Sequence, residues 1–117
     1  MRITEIAYTE ALPIDGYGPG FFRIGGEVHD APLAILPSGI TAWGGLEDCD
    51  SLLGAAGQID VLLVGTGPEL VRLPEEFGDR LAARGIGAEA MASPQACRTY
   101  NVLLGEGRRV GLALLSV

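Results

Sequence analysis

Two short stretches hold the groups in this chain best suited to chemistry. The first, Gly65-Thr66-Gly67, follows the aliphatic run Val61-Leu62-Leu63-Val64, and the second, from Ser93 to Asn101, includes Cys97, Arg98, Thr99 and Tyr100. A threonine hydroxyl and loop amides facing a helix start with an arginine and an asparagine would suit a small anionic group, because the free N–H groups and aligned dipoles of a helix N-terminus favour negative charge. Cys97 falls in the first turn of the expected helix, where those dipoles and neighbouring Arg98 lower a thiol pKa. The commoner arrangement for each residue is structural. A cysteine so placed is usually a small packed side chain, Tyr100 buries its ring and wets its hydroxyl, and Asn101 packs or caps. The candidate ligand-binding residues are Gly65, Thr66, Gly67, Ser93, Cys97, Arg98, Thr99, Tyr100 and Asn101; no catalytic residue, metal ligand or cofactor is assigned.

Familiar signatures do not fit. A phosphate-binding P-loop carries Lys and Ser or Thr after its glycines, and the dinucleotide fingerprint needs a third glycine where this chain has Leu70. His29, the sole histidine, falls on an expected hairpin far in sequence from Cys97, which disfavours a catalytic pair. The acidic groups Glu47, Asp48 and Asp50, and Glu75 with Glu76, read as solvated faces and helix ends.

The elements that must carry these residues follow from pattern. Asp60 to Val64 reads as a strand buried on both faces, ending at the glycine turn. Pro74, Glu75 and Glu76 open an amphipathic helix closed near Gly85. Ile86 to Ala92 is the next strand, Ser93-Pro94 starts a helix with serine as its cap, and Arg109 to Val117 is a closing strand. Two crossovers make these three strands parallel, which brings the glycine loop and the Ser93 turn to one edge of the sheet. Upstream, Ile3, Ile6 and Tyr8 suggest an edge strand, and Pro13 to Gly20 a loop. Phe21 to His29 forms a hairpin about Gly25-Gly26, and Leu33 to Leu36 is a buried strand. Asp48 or Asp50 caps a short helix through Leu53, ended by Gly57, and Trp43 serves as core or as a partner-contact anchor.

The chain has 117 residues, enough for one domain spanning 1–117 with its own core. A net charge of -7 repels phosphate backbones and anionic membranes, so nucleic acid is excluded as an expected partner. No apolar run is long enough to insert in a membrane, and the first residues lack a signal core. Cys49 and Cys97, without paired spacing, are expected to be free thiols in the cytoplasm.

The segments 60–67 and 85–89, Ala96-Cys97-Arg98-Thr99-Tyr100-Asn101-Val102-Leu103, Tyr17-Gly18-Pro19-Gly20-Phe21 and Leu36-Pro37 together resemble a small domain family of unknown function. It is shared by bacterial and archaeal proteins and by the mitochondrial complex I assembly factor three, and includes the adipogenesis-associated domain protein. The resemblance implies a three-layer α/β domain: a mixed central sheet with parallel C-terminal strands, helices on one face and an added N-terminal β-hairpin layer. It implies no established catalysis. The role it implies is a non-enzymatic interaction or assembly factor with an unidentified protein partner, and a chain beginning directly at its first strand resembles the bacterial form. The alternatives are a small-ligand binder or enzyme using the crevice between Thr66 and Ser93, and a homodimer formed through the N-terminal edge strand.

Overall fold

The aliphatic run does form a strand, β6 (Val61–Gly65), with Leu62, Leu63 and Val64 excluded from solvent. In this computed structural model, which describes residues 12–117, it lies between the parallel strands β7 (Gly87–Met91) and β8 (Val110–Leu114). On the far side of β8, β4 (Leu33–Leu36) pairs antiparallel, and β5 (Gly39–Ala42) completes the mixed five-stranded sheet, in the order β5-β4-β8-β6-β7. The second sheet is antiparallel and three-stranded, made of β1 (Ile14–Gly18), β2 (Phe21–Ile24) and β3 (Glu27–Asp30). Its β2–β3 turn is Gly25-Gly26, with φ of 57° and 88°, the positive pair that a tight primed hairpin turn requires.

The helices are α1 (Asp50–Leu53), α2 (Glu75–Ala82) and α3 (Ser93–Gly105). Expected on one face of the sheet, they divide between two. Alternate residues of β6 point to opposite faces, and each face has its own apolar cluster. Leu62 and Val64 pack with Leu52, Phe77 and Leu81 from α1 and α2. Leu63 packs with Ala96, Cys97 and Tyr100 from α3, and with Phe22 and Ile24 from the small sheet. The strand order supplies the reason. The β6-α2-β7 crossover moves one way across the sheet and β7-α3-β8 moves back past β6, so right-handed connections put α2 and α3 on opposite sides.

Other boundaries also differ from the expectations. Residues 14–18, read as loop, form β1, because pairing with β2 through a register shift between Ile14 and Gly16 supplies the backbone partners that local sequence does not advertise. The short helix ends at Gly54, before Gly57. The alternation at Ile3, Ile6 and Tyr8 lies outside the described residues. Trp43 is core, 4% exposed, and its indole Nε1 donates to the Asp48 carbonyl at 2.8 Å.

Candidate functional site

The glycine loop and the start of α3 adjoin, and they are sewn together. The Thr66 amide donates to the Met91 carbonyl at 2.9 Å, and the Ser93 amide donates to the Gly67 carbonyl at 2.7 Å. Ser93, expected as a helix cap, is the first residue of α3, with Ala92 at the cap and Pro94 in the first turn. Its hydroxyl is turned instead toward the strand ends: it accepts from the Gly67 amide at 2.9 Å and donates to the Leu115 carbonyl at 2.7 Å. A serine followed by proline carries the same signal whether it sits at the cap or one residue later, and only the neighbouring strand ends decide what its hydroxyl meets. Gly65 shows how tight this edge is. A Cβ placed there would stand 2.7 Å from the Ser93 hydroxyl oxygen and 2.9 Å from the Ser93 Cα, so only glycine lets α3 come this close.

Thr66 is 6% exposed and organises the loop that follows. Its hydroxyl donates to the Glu69 carbonyl at 2.7 Å and accepts from the Val71 amide at 2.9 Å. Leu70 and Val71 are thereby held outward, 66% and 49% exposed.

On α3 the candidate residues separate by face. Cys97 and Tyr100 are buried in the second cluster. Burial pushes the Cys97 thiol up to about 12 against a smaller opposing pull from Arg98, and burial alone pushes the Tyr100 phenol up to about 12. Both groups therefore stay protonated at neutral pH. The helix-start position that would make a thiolate in water is overridden by the low-dielectric surroundings. Asn101 works as a backbone surrogate: its Oδ1 accepts from the Ile14 amide at 2.9 Å and its Nδ2 donates to the Ile14 carbonyl at 3.0 Å. It thus ties β1 to α3 across 87 residues of chain. Arg98 is exposed and Thr99 is half-buried.

The structure thus brings Gly65, Thr66, Gly67 and Ser93 into direct contact, places Cys97 and Tyr100 in the core beneath α3, and sends Asn101 to the small sheet. One surface feature had no signal of its own in the sequence. A cavity of about 310 Å³ opens between the loop at Leu46 and α2, with Pro74, Phe77 and Arg80 among its walls. Among the described residues no three His, Cys, Asp or Glu side chains gather as a metal centre would require. No helix of the described residues is long and apolar enough to cross a membrane, which says nothing of strands that cross as a barrel.

Fold and site define a three-layer α/β domain whose most conspicuous polar loop is bonded chiefly to its own neighbours. Residues 14–115 match the family model described as a protein of unknown function (DUF498/DUF598), and the chain belongs to that family. It is 50% identical over 115 residues to an uncharacterized protein of Rhodobacter capsulatus, covering 98% of this chain and 93% of that one. It is 34% identical over 113 residues to human NADH dehydrogenase (ubiquinone) 1 alpha subcomplex assembly factor 3, covering 91% of this chain but only 61% of the human factor's length. A crystal structure described as an outer membrane protein from Bartonella henselae superposes with a TM-score of 0.84 at 41% identity, covering 91% of this chain and 96% of that one.

Proposed function

We propose that the chain is a non-enzymatic interaction or assembly factor that acts from the cytoplasm on a respiratory or membrane complex. The observation that carries this reading is the 34% identity to the human complex I assembly factor along 91% of the chain. The site supports it from another direction. Thr66, Ser93 and Asn101, the polar groups best suited to chemistry, spend hydrogen bonds on holding loops and sheets together. What the same loop offers outward is apolar, Leu70 and Val71, and an exposed apolar pair on a braced loop suits protein contact.

Affinity purification of the tagged chain from gently lysed native cells is expected to recover a specific partner, and Leu70→Ser with Val71→Ser to weaken that recovery. Recovery of no partner by the unaltered chain overturns the reading. Fractionation of the same cells places the protein in or out of the cytoplasm, and a mass measurement in solution tests self-pairing.

A small anionic ligand at the glycine edge is the second reading, favoured by the direct meeting of Gly67 with Ser93 and by exposed Arg98 nearby on α3. A melting screen with anions and metabolites tests it. A ligand-induced rise that disappears in Arg98→Ala, at the exposed cation near that edge, supports it, and no rise with any ligand removes it.

A further inference from the structure

The cavity beside α2 has a character that the glycine edge lacks. Leu46, Pro74 and Phe77 give it apolar walls, and the buried Cys49 lies at its base. At about 310 Å³ it stands at the lower limit of ligand pockets, room for one long side chain but not for a nucleotide-sized cofactor.

Its charges are unbalanced. Arg80, the one cation lining it among the described residues, is ion-paired with Asp50. Glu47 and Glu76 line it as well and are exposed, and neither has an ion-pair partner among the described residues. A site with apolar walls and unpaired carboxylates at its mouth is complementary to a side chain with an aliphatic stem and a cationic head. The net charge of -7 would also draw a basic partner toward the molecule.

One wall is fixed in advance. The Asp48 carboxylate accepts from the Gly44 amide at 2.9 Å and from the Ser51 hydroxyl at 2.6 Å, which braces the loop carrying Leu46 and Glu47. An occupant would therefore pay little ordering entropy on this side.

We propose that this cavity is the anchor point for a lysine or arginine side chain from a basic segment of a partner protein. The stem lies along Leu46, Pro74 and Phe77, and the head meets Glu47 and Glu76. The assignment rests on the interaction-factor reading and names the chemistry of the contact.

The test uses a short blocked peptide alternating lysine with serine, the same peptide with glutamate in place of lysine, and free spermidine, each titrated into the full chain. Amide shifts are followed at residues 46–50 and 76–80. Trp43 provides a second signal, because it is the only tryptophan and its ring centroid lies 6.3 Å from that of Phe77. The lysine peptide is expected to shift these residues and the glutamate peptide to leave them unmoved. Glu47→Gln with Glu76→Gln should weaken the lysine peptide about tenfold, as the loss of two exposed ion pairs implies.

Shifts elsewhere, equal shifts with the glutamate peptide, or an unchanged affinity in the double variant overturn the proposal. Spermidine binding more tightly than the peptide also overturns it, by making the cavity a site for free polyamines. Both altered carboxylates are exposed, so the variant is expected to fold, and its amide spectrum verifies this. Failure here is separable from failure of the broader reading: an unaltered chain that recovers a partner keeps the assembly role while losing this anchor.

Discussion

The two faces of the central sheet are covered in different ways, and the difference separates structural polar groups from available ones. The face carrying Leu63 lies under α3 and a second sheet, and its polar groups are used as fasteners: Asn101 holds Ile14, and at the sheet's end Ser93 holds Gly67 and Leu115. The face carrying Leu62 lies under two shorter helices that leave a cavity lined by exposed glutamates without ion-pair partners among the described residues. Each face buries one cysteine, with thiol pKa values raised by burial in both. Polar residues that look chemical in sequence are thus absorbed where α3 and the small sheet meet the central strands, and charged residues that look merely solvated line a cavity beside α2.

The sharpest test of this contrast lies on one strand. Leu62 and Leu63 are adjacent and both excluded from solvent, but they point to opposite faces. Truncating either to alanine is expected to cost about 2–5 kcal/mol, with the larger loss for Leu63→Ala, since a cavity between two packed layers collapses less readily than one beneath short helices. Denaturant unfolding measures both. Equal costs, or a larger loss for Leu62→Ala, would break the comparison.

A smaller effect is expected at the sheet edge. Ser93→Ala removes both bonds of the hydroxyl and leaves the buried Gly67 amide without its acceptor, a loss of about 1–3 kcal/mol. If the serine were a helix cap, Ser93→Gly would cost only a few tenths of a kcal/mol and so be clearly milder than Ser93→Ala. As a bridge between strand ends, Ser93→Gly should be at least as damaging as Ser93→Ala. Threonine in its place would keep the hydroxyl but crowd Gly65. Urea midpoints across these variants distinguish bridge from cap.

Much of this organisation is legible in sequence where local signals and burial agree. The run Val61 to Val64, the Gly25-Gly26 turn and the proline-started helices announce themselves, and the parallel order of β6, β7 and β8 follows from their crossovers. The adjacency of Gly67 and Ser93 is legible on the same grounds, because parallel strands send their carboxyl ends to one edge. The rest depends on partners distant in sequence. Asp15-Gly16-Tyr17-Gly18 has the composition of a loop and becomes strand only beside β2 and below Asn101. The division of helices between faces needs the strand order, which local pattern does not contain. The cavity requires Leu46 and Phe77 to meet from separate segments, so Glu47 and Glu76 read correctly as exposed acids while their shared setting stays hidden.

The smallest expected effect concerns the open face alone. The Asp48 carboxyl is held below its ordinary pKa, chiefly by the Ser51 hydroxyl, with further help from the Gly44 amide. A carboxyl depressed in the folded state contributes stability above its unfolded pKa of about 3.9 and loses that contribution as pH falls through the lower folded value. Ser51→Ala should therefore move the Asp48 titration upward, toward that of a free aspartate, and make the acid limb of the stability curve shallower. The cost at neutral pH should stay below about 1 kcal/mol, because the bond is exposed. A carbon-detected NMR titration of Asp48, run beside melting curves from pH 2 to pH 7, reads both quantities. If the titration moves but residues 46–50 keep their amide shifts, the loop holds its shape without the carboxylate and the open face is braced by backbone bonds, such as the one from the Asp48 amide to the Gly45 carbonyl. If titration and loop shifts move together, the Asp48 knot is what keeps Leu46 and Glu47 in place on the less covered side of the sheet.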